Sequence, residues 1–192
     1  MLYLASTSPR RQQLLKQAGL KFRVVPPVVD EWNITQADPG ALVLHNSYLK
    51  ALSVSEQYSD APVLAADTAV AINGRVLNKP EGMDEACQML RVLSAQTHIV
   101  YTGICLVYRQ KNLELKRCIK CRVSFNVLDE EGMQRYFSLV NPLDKAGAYG
   151  IQEGRNLIID YYEGALSNIM GLPIKEILYW LNYFRLSSNY LE

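Results

Sequence analysis

Histidine is scarce in this sequence. His45 and His98 are the only two in 192 residues, and they stand far apart. Cysteine is little better supplied: Cys87, Cys105, Cys118 and Cys121. Cys118 and Cys121 form a C-x-x-C, but no second C-x-x-C follows. The surrounding stretch alternates, with Leu113, Leu115, Ile119, Cys121, Val123, Phe125 and Val127 on one face and Lys116, Cys118, Lys120 and Arg122 on the other. In a strand, positions three apart point to opposite faces, so this pair cannot share one ion. An excess of charge is also missing. Lys and Arg number 20 against 19 Asp and Glu, a net charge of +1. Nothing global pulls the chain to nucleic acid or an anionic membrane, and no basic stripe with interleaved aromatics is present. No apolar run approaches the roughly 20 residues of a membrane span. No secretory leader pattern opens the sequence, so the expected compartment is the cytoplasm. Low-complexity linkers and internal repeats are absent too.

What is present is a globular composition, 49% hydrophobic, with mixed α/β patterning. A strand at 2–6 leads to a helix at 8–18, opened by Ser8 as a hydroxyl cap and Pro9 at the first helical position. A strand at 21–26 and a loop with a Pro-Pro pair and "VVDEWN" follow. Residues 39–58 read as a helix with Leu42, Leu44, Tyr48, Ala51, Leu52 and Ser55 near one face. Asn73-Gly74 is a strong hairpin signal. A helix at 82–94 precedes two long strands, 97–109 and 113–127, joined by a polar turn near 110–112. "DEEGMQRYFSLV" starts a further helix. A glycine-rich loop (144–154), a strand (156–162) and a last helix (173–184) close the pattern, with fraying expected after Phe184. One domain over 1–192 is expected, folded as two lobes with a curved mixed sheet and a central cleft.

Several polar residues stand out against this frame. Arg10 and Arg11 occupy the first helical turn, where the macrodipole disfavours cations and welcomes anions. With Ser8 and the free N–H groups they suit a phosphate; the plainer reading is a solvated turn. Asp67 and Thr68 interrupt the otherwise apolar "PVLAADTAVAI". A buried carboxylate needs a partner, a metal or an open cleft. Glu31, at the entry to a loop, is a second candidate ligand or a surface carboxylate. Lys50 lies mid-helix beside an apolar face, Lys79 just past the hairpin and Lys145 in the glycine-rich loop. Taken alone, Lys50 and Lys79 read first as solvated side chains, and Lys145 reads either way. In "DKAGAYGIQEG", the glycines allow close backbone approach, and Tyr149 and Gln152 offer a ring and an amide to a flat polar ligand.

"LASTSPRR", "VDE", "LKA", "AADT", "LNKP", "DKAGAYGIQ" and "MGLP" occur in this order across nearly the whole chain. As an ordered set they resemble the Maf family of nucleoside triphosphate pyrophosphatases. The resemblance implies a two-lobed α/β fold related to inosine triphosphatases. It also implies hydrolysis of a nucleoside triphosphate to the monophosphate and pyrophosphate with Mg²⁺, or Mn²⁺ as the alternative. On that basis Glu31 and Asp67 are expected to hold the metal, and Asp67 to position or deprotonate the attacking water. Arg11, Lys50 and Lys79, with Ser8, are expected on the phosphates, and Lys145 among the substrate-binding residues. Arg10, Thr68 and Gln152 match the family members that act on dTTP and UTP, and are expected around the base. A sister subgroup acting on 7-methyl-GTP carries Trp and Gln in place of the first and second of these. Leu49 and the Ala165-Leu166 pair depart from the usual family residues and bear on fine substrate preference. A nucleotide-binding regulator of cell division with little turnover is the rival reading. A homodimer is expected from Trp180, Tyr183 and Phe184, which spread apolar surface around the last helix.

Overall fold

The computed structural model describes residues 1–186. A seven-stranded mixed sheet is its frame. Its strands are β1 (Leu2–Leu4), β2 (Phe22–Val24), β3 (Val63–Ile72), β4 (Arg75–Leu77), β5 (Thr97–Tyr108), β6 (Leu113–Phe125) and β7 (Ile159–Glu163). The order is β2-β1-β3-β5-β6-β7, with β4 paired to β3. β1 runs parallel to β2 and β3; all other pairs are antiparallel. One continuous sheet underlies the molecule, so no break in it draws the two-lobed division expected from the sequence.

The helices are α1 (Pro9–Gln17), α2 (Pro39–Ser55), α3 (Met83–Leu93), α4 (Glu130–Leu139), α5 (Arg155–Ile158), α6 (Leu166–Ile169) and α7 (Ile174–Tyr183). Even-numbered β3 residues face one side. There Leu64 and Ala66 pack with Leu14 and Leu15 of α1 and with Ile177 and Leu181 of α7. Val70 and Ile72 pack with Leu90 and Leu93 of α3 and Met133 and Tyr136 of α4. Odd-numbered β3 residues face α2, where Val63 and Ala65 meet Ala51 and Val54. Gly103 of β5 sets the depth of this packing, because a Cβ there would collide with the backbone of Val43 and Leu44. α2 therefore lies close enough for short polar side chains to reach the strand.

Most elements fall where the pattern puts them, and the differences have local causes. The Asn73-Gly74 turn joins β3 to β4 with both residues at positive φ, 50° and 75°. The long hairpin turns through a 3₁₀ segment, Arg109–Lys111, and Asn112. In β6, Cys121 is buried in the core while Cys118 is half-buried on the α2 face, so the C-x-x-C is split between faces. Ser8 caps α1 only by position, since its side chain makes no cap bond. α2 ends at Ser55 and its buried face matches the expected one in part: Leu42, Ala51 and Ser55 are buried, and Tyr48 is half-buried. Val43, Asn46, Ser47 and Lys50 are buried, while Leu44 and Leu52 are half-buried. The strand expected at 156–162 begins three residues late, because Gly154, at φ 61°, starts the helical turn α5 instead. In α7, Trp180 is buried and Phe184 packs against the core, so of the three aromatics only Tyr183 faces solvent. The tail expected to fray lies from residue 187 onward outside the described residues; Leu186 is buried.

Candidate active site

A cavity of about 740 Å³ opens beside β3 at the carboxyl end of β1. The register explains it. β1 pairs with β3 only as far as Leu64, and β4 begins pairing at Val70, on the edge opposite β5. Between these two neighbours no described strand pairs with that edge. All ten residues singled out from the sequence line this gap: Ser8, Arg10, Arg11, Glu31, Lys50, Asp67, Thr68, Lys79, Lys145 and Gln152. Strand alternation sends Asp67 toward α2 and Thr68 toward the opposite face, so the two neighbours build different corners.

In the first corner the Lys50 ammonium sits between two carboxylates, 2.8 Å from Asp67 Oδ1 and 2.5 Å from Glu31 Oε2. Lys50 is buried, Asp67 largely so, and Glu31 half-exposed on its loop. The second Asp67 oxygen accepts from Asn46 Nδ2 at 3.1 Å. Asn46 and Lys50 are one helical turn apart, so α2 presents both to the strand together. Asn46 was not foreseen. Its only signal in the sequence is a polar residue four before the lysine in an apolar helix. Among the described residues no group of three or more His, Cys, Asp or Glu could hold a metal ion.

The second corner explains one of the two first-turn arginines. Arg11 donates from Nε to the Gly171 carbonyl at 2.9 Å, from Nη1 to Ser6 Oγ at 3.3 Å and from Nη2 to Thr68 Oγ1 at 3.2 Å. Thr102 donates its hydroxyl to the Asn168 carbonyl at 3.0 Å. Thr68 therefore donates to Thr102, 3.1 Å away, and accepts from Arg11. Burial lowers the Arg11 pKa, and attraction to Asp67 does not offset it. A guanidinium has five N–H donors, so two remain for a ligand. Thr68, expected at the base, shares its corner with Arg11, expected at the phosphates. Ser6, not foreseen, accepts from the Ser8 N–H at 3.2 Å and shapes the turn into α1.

The third wall is the glycine-rich loop. Arg10, the other first-turn arginine, reaches Asp144 Oδ2 at 3.4 Å. Buried Lys145 donates to the same carboxylate at 2.7 Å and to the Asn141 carbonyl at 2.8 Å. Burial acts to raise the Asp144 pKa, but Lys145 and Arg10 outweigh it and hold the carboxyl below its ordinary value. Gly147 takes φ 68° with Val70 directly beneath it, and its N–H donates to the Asn78 carbonyl at 3.1 Å. That bond ties the loop to the segment carrying Lys79. Gly150 is clamped by Tyr136, whose hydroxyl accepts from its N–H at 2.9 Å and donates to its carbonyl at 3.3 Å. The Tyr149 hydroxyl meets His98 Nε2 at 2.7 Å, and both rings pack edge-on against Phe125. Burial lowers the His98 pKa to about 4 and raises that of the Tyr149 phenol. Gln152 emerges beyond this anchored stretch as an exposed side chain.

Comparison with known proteins gives a consistent result. The family model for Maf-like proteins matches residues 1–184. The chain is 43% identical to the dTTP/UTP pyrophosphatase of Thermosipho melanesiensis, covering 92% of this chain and 93% of the relative. It is 40% identical to the dTTP/UTP pyrophosphatase of Carboxydothermus hydrogenoformans, covering 92% and 94%. For the protein of the same name from Bacillus cereus the identity is 37%, covering 98% and 92%. A solved structure of a HAM1 protein from Coxiella burnetii is 17% identical, with a TM-score of 0.46 over 65% of this chain and 72% of its own.

Proposed function

The chain belongs to the Maf-like protein family, and we propose that it is a nucleoside triphosphate pyrophosphatase, hydrolysing dTTP and UTP to the monophosphate and pyrophosphate. The observation that carries this reading is Asp67, a largely buried carboxylate held by Lys50 and Asn46 at the edge of a large polar cavity. Relatives matched over most of their length bear the name of that activity. The regulator reading has no comparable support, since a sensor has no need of a lysine-gripped carboxylate.

The chemistry is a displacement at the α-phosphorus. A water oxygen forms the new bond to phosphorus, and the bond to the bridging oxygen breaks. Pyrophosphate leaves with that oxygen, and Asp67 takes the water proton. The remaining Arg11 donors, Lys79 and the unpaired N–H groups at the start of α1 stabilise charge on the leaving pyrophosphate. Lys50 and Asn46 hold Asp67 in place. Glu31 and Asp67 flank the Lys50 ammonium; as a hard-oxygen pair they would suit Mg²⁺ if that ammonium gives way to it, since Mg²⁺ combines one or two carboxylates with substrate phosphates. Mg²⁺ or Mn²⁺ held there would neutralise phosphate charge and acidify a bound water. Gln152 and Arg10, which line the same cavity, read the pyrimidine, with Thr68 bracing Arg11. Lys145, by holding Asp144, fixes the loop against Arg10 and the substrate.

The same reading puts the enzyme in the cytoplasm with its nucleotide substrates, and makes it a homodimer. Tyr179 and Tyr183 support the latter: they stack on each other on α7 and are more than half exposed. The test of the activity is pyrophosphate release from dTTP, UTP, ATP and GTP with Mg²⁺, on the parent and on Asp67→Asn. Turnover of dTTP and UTP that Asp67→Asn cuts at least about a hundredfold, roughly 2.7 kcal/mol in barrier, is the expected result. Retention of more than about a tenth of the parent kcat would remove Asp67 from the chemistry.

A further inference from the structure

Asn46 is 3% exposed on the sheet-facing side of α2, a place where an apolar residue is the default. A buried amide is costly unless its groups are bonded, and here they are. Oδ1 accepts from the Trp32 N–H at 2.8 Å. Nδ2 donates to the Trp32 carbonyl at 3.0 Å and to Asp67 Oδ2 at 3.1 Å. A primary amide has two donors, so both are engaged. The partners also fix its orientation. A backbone N–H can only donate, whereas a carbonyl and a carboxylate accept, so Oδ1 and Nδ2 cannot be exchanged.

Trp32 follows Glu31 directly, and its nitrogen is bonded to the Glu31 carbonyl carbon. Holding the Trp32 N–H and C=O together therefore fixes where the Glu31 side chain starts. One residue before Asn46 on the same helix, His45 stacks on the indole, with centroids 3.6 Å apart and planes at 24°. The loop is thus pinned by backbone and by ring to one turn of α2, and the same amide grips Asp67. Glu31 is half-exposed on a loop without regular structure, so its arrival at Lys50 in step with Asp67 depends on how that loop is held.

We propose that Asn46 is a positioning residue that couples the Glu31–Trp32 loop to Asp67, so that the two carboxylates form a preset pair. The inference rests on the reading of Asp67 and Glu31 given above. It predicts that losing Asn46 lowers kcat more than it raises KM, because Arg10, Lys79 and Gln152 still bind the nucleotide.

The test uses Asn46→Leu, which fills the space without polar groups, and Asn46→Asp, which keeps an acceptor for the Trp32 N–H but offers no donor to Asp67. Each is made in the full chain with Trp180→Phe, leaving Trp32 as the only tryptophan. Thermal melts establish that the variants fold. The expected result is a fall in dTTP kcat of about tenfold or more with KM within about threefold, the scale of lost support behind a metal ligand. Acrylamide is expected to quench Trp32 more strongly in Asn46→Leu. A folded variant of either kind with kcat within twofold of the parent and unchanged quenching overturns the proposal. Asp67→Asn, assayed alongside, separates the two readings. An inactive Asp67→Asn beside a fully active Asn46→Leu sinks the coupling alone, whereas an active Asp67→Asn sinks the reading of the site.

Discussion

Lys50 is the residue on which the site's electrostatics turn. Its buried ammonium contacts both Glu31 and Asp67, and without it two carboxylates would face one another across a gap. Removing one member of a buried ion pair typically costs about 3 kcal/mol or more, so Lys50→Met is expected to melt well below the parent in EDTA. Mg²⁺ is expected to return part of that loss, because an ion bound by the folded state alone raises the melting temperature. Differential scanning fluorimetry of each protein with and without Mg²⁺ measures both; no Mg²⁺-dependent rise in melting temperature in either protein would mean that this carboxylate pair holds no metal. At this scale much was legible in the sequence. Asp67 declares itself as the lone acid in an apolar strand, and its need for a partner follows from burial alone. That the partner is Lys50 was not legible, because Lys50 was read beside a face containing Leu44 and Leu52. The close approach allowed by Gly103 admits Asn46, Ser47 and Lys50 to the sheet instead.

The glycine-rich loop shows what elements do for the site. Its middle is fixed to β5 through the Tyr149–His98 contact and to α4 through Tyr136. His98 is buried, and burial lowers its pKa to about 4 from an ordinary 6.5. The unfolded chain therefore takes up this proton first as pH falls, and stability is lost between about pH 6.5 and pH 4. The difference is on the order of 3 kcal/mol for a group so fully buried. His98→Gln keeps a hydrogen-bonding side chain but does not titrate. Urea midpoints measured from pH 7 to pH 4 are expected to fall less steeply for His98→Gln than for the parent; parallel slopes would show that His98 does not carry this acid sensitivity. The hairpins and the helices α1, α3 and α4 were legible because turn residues and apolar spacing are local signals. The delayed start of β7 was not, since it depends on a left-handed Gly154 packed against Tyr136. The His98–Tyr149 contact joins residues too distant in sequence for periodicity to connect.

For the whole molecule, the question is how one cavity would prefer pyrimidines, as the proposed function requires. At about 740 Å³ the opening is ample for any common nucleoside triphosphate, and the phosphates are the same in all of them. The phosphate sites cannot then discriminate, which leaves the other polar groups lining the cavity, Arg10, Thr68 and Gln152. Arg10 is engaged with Asp144 and Thr68 with Arg11 and Thr102, whereas Gln152 reaches into the cavity from an exposed position just beyond the anchored Tyr149–Gly150 pair. An amide offers both a donor and an acceptor, the pattern that a pyrimidine O4/N3 edge requires. A site that bonds such an edge rejects ligands that leave its groups unpaired, at about 1–3 kcal/mol for each buried group. Gln152→Ala is therefore expected to lower kcat/KM for dTTP and UTP by about tenfold and to change the values for ATP and GTP by less than about threefold. Its melting temperature should match the parent, because the side chain is exposed and anchors nothing. The four nucleotides assayed on both proteins decide the matter: a uniform loss across all four would assign Gln152 to the phosphates, and an unchanged ratio would remove it from base selection and leave Arg10 as the group to test.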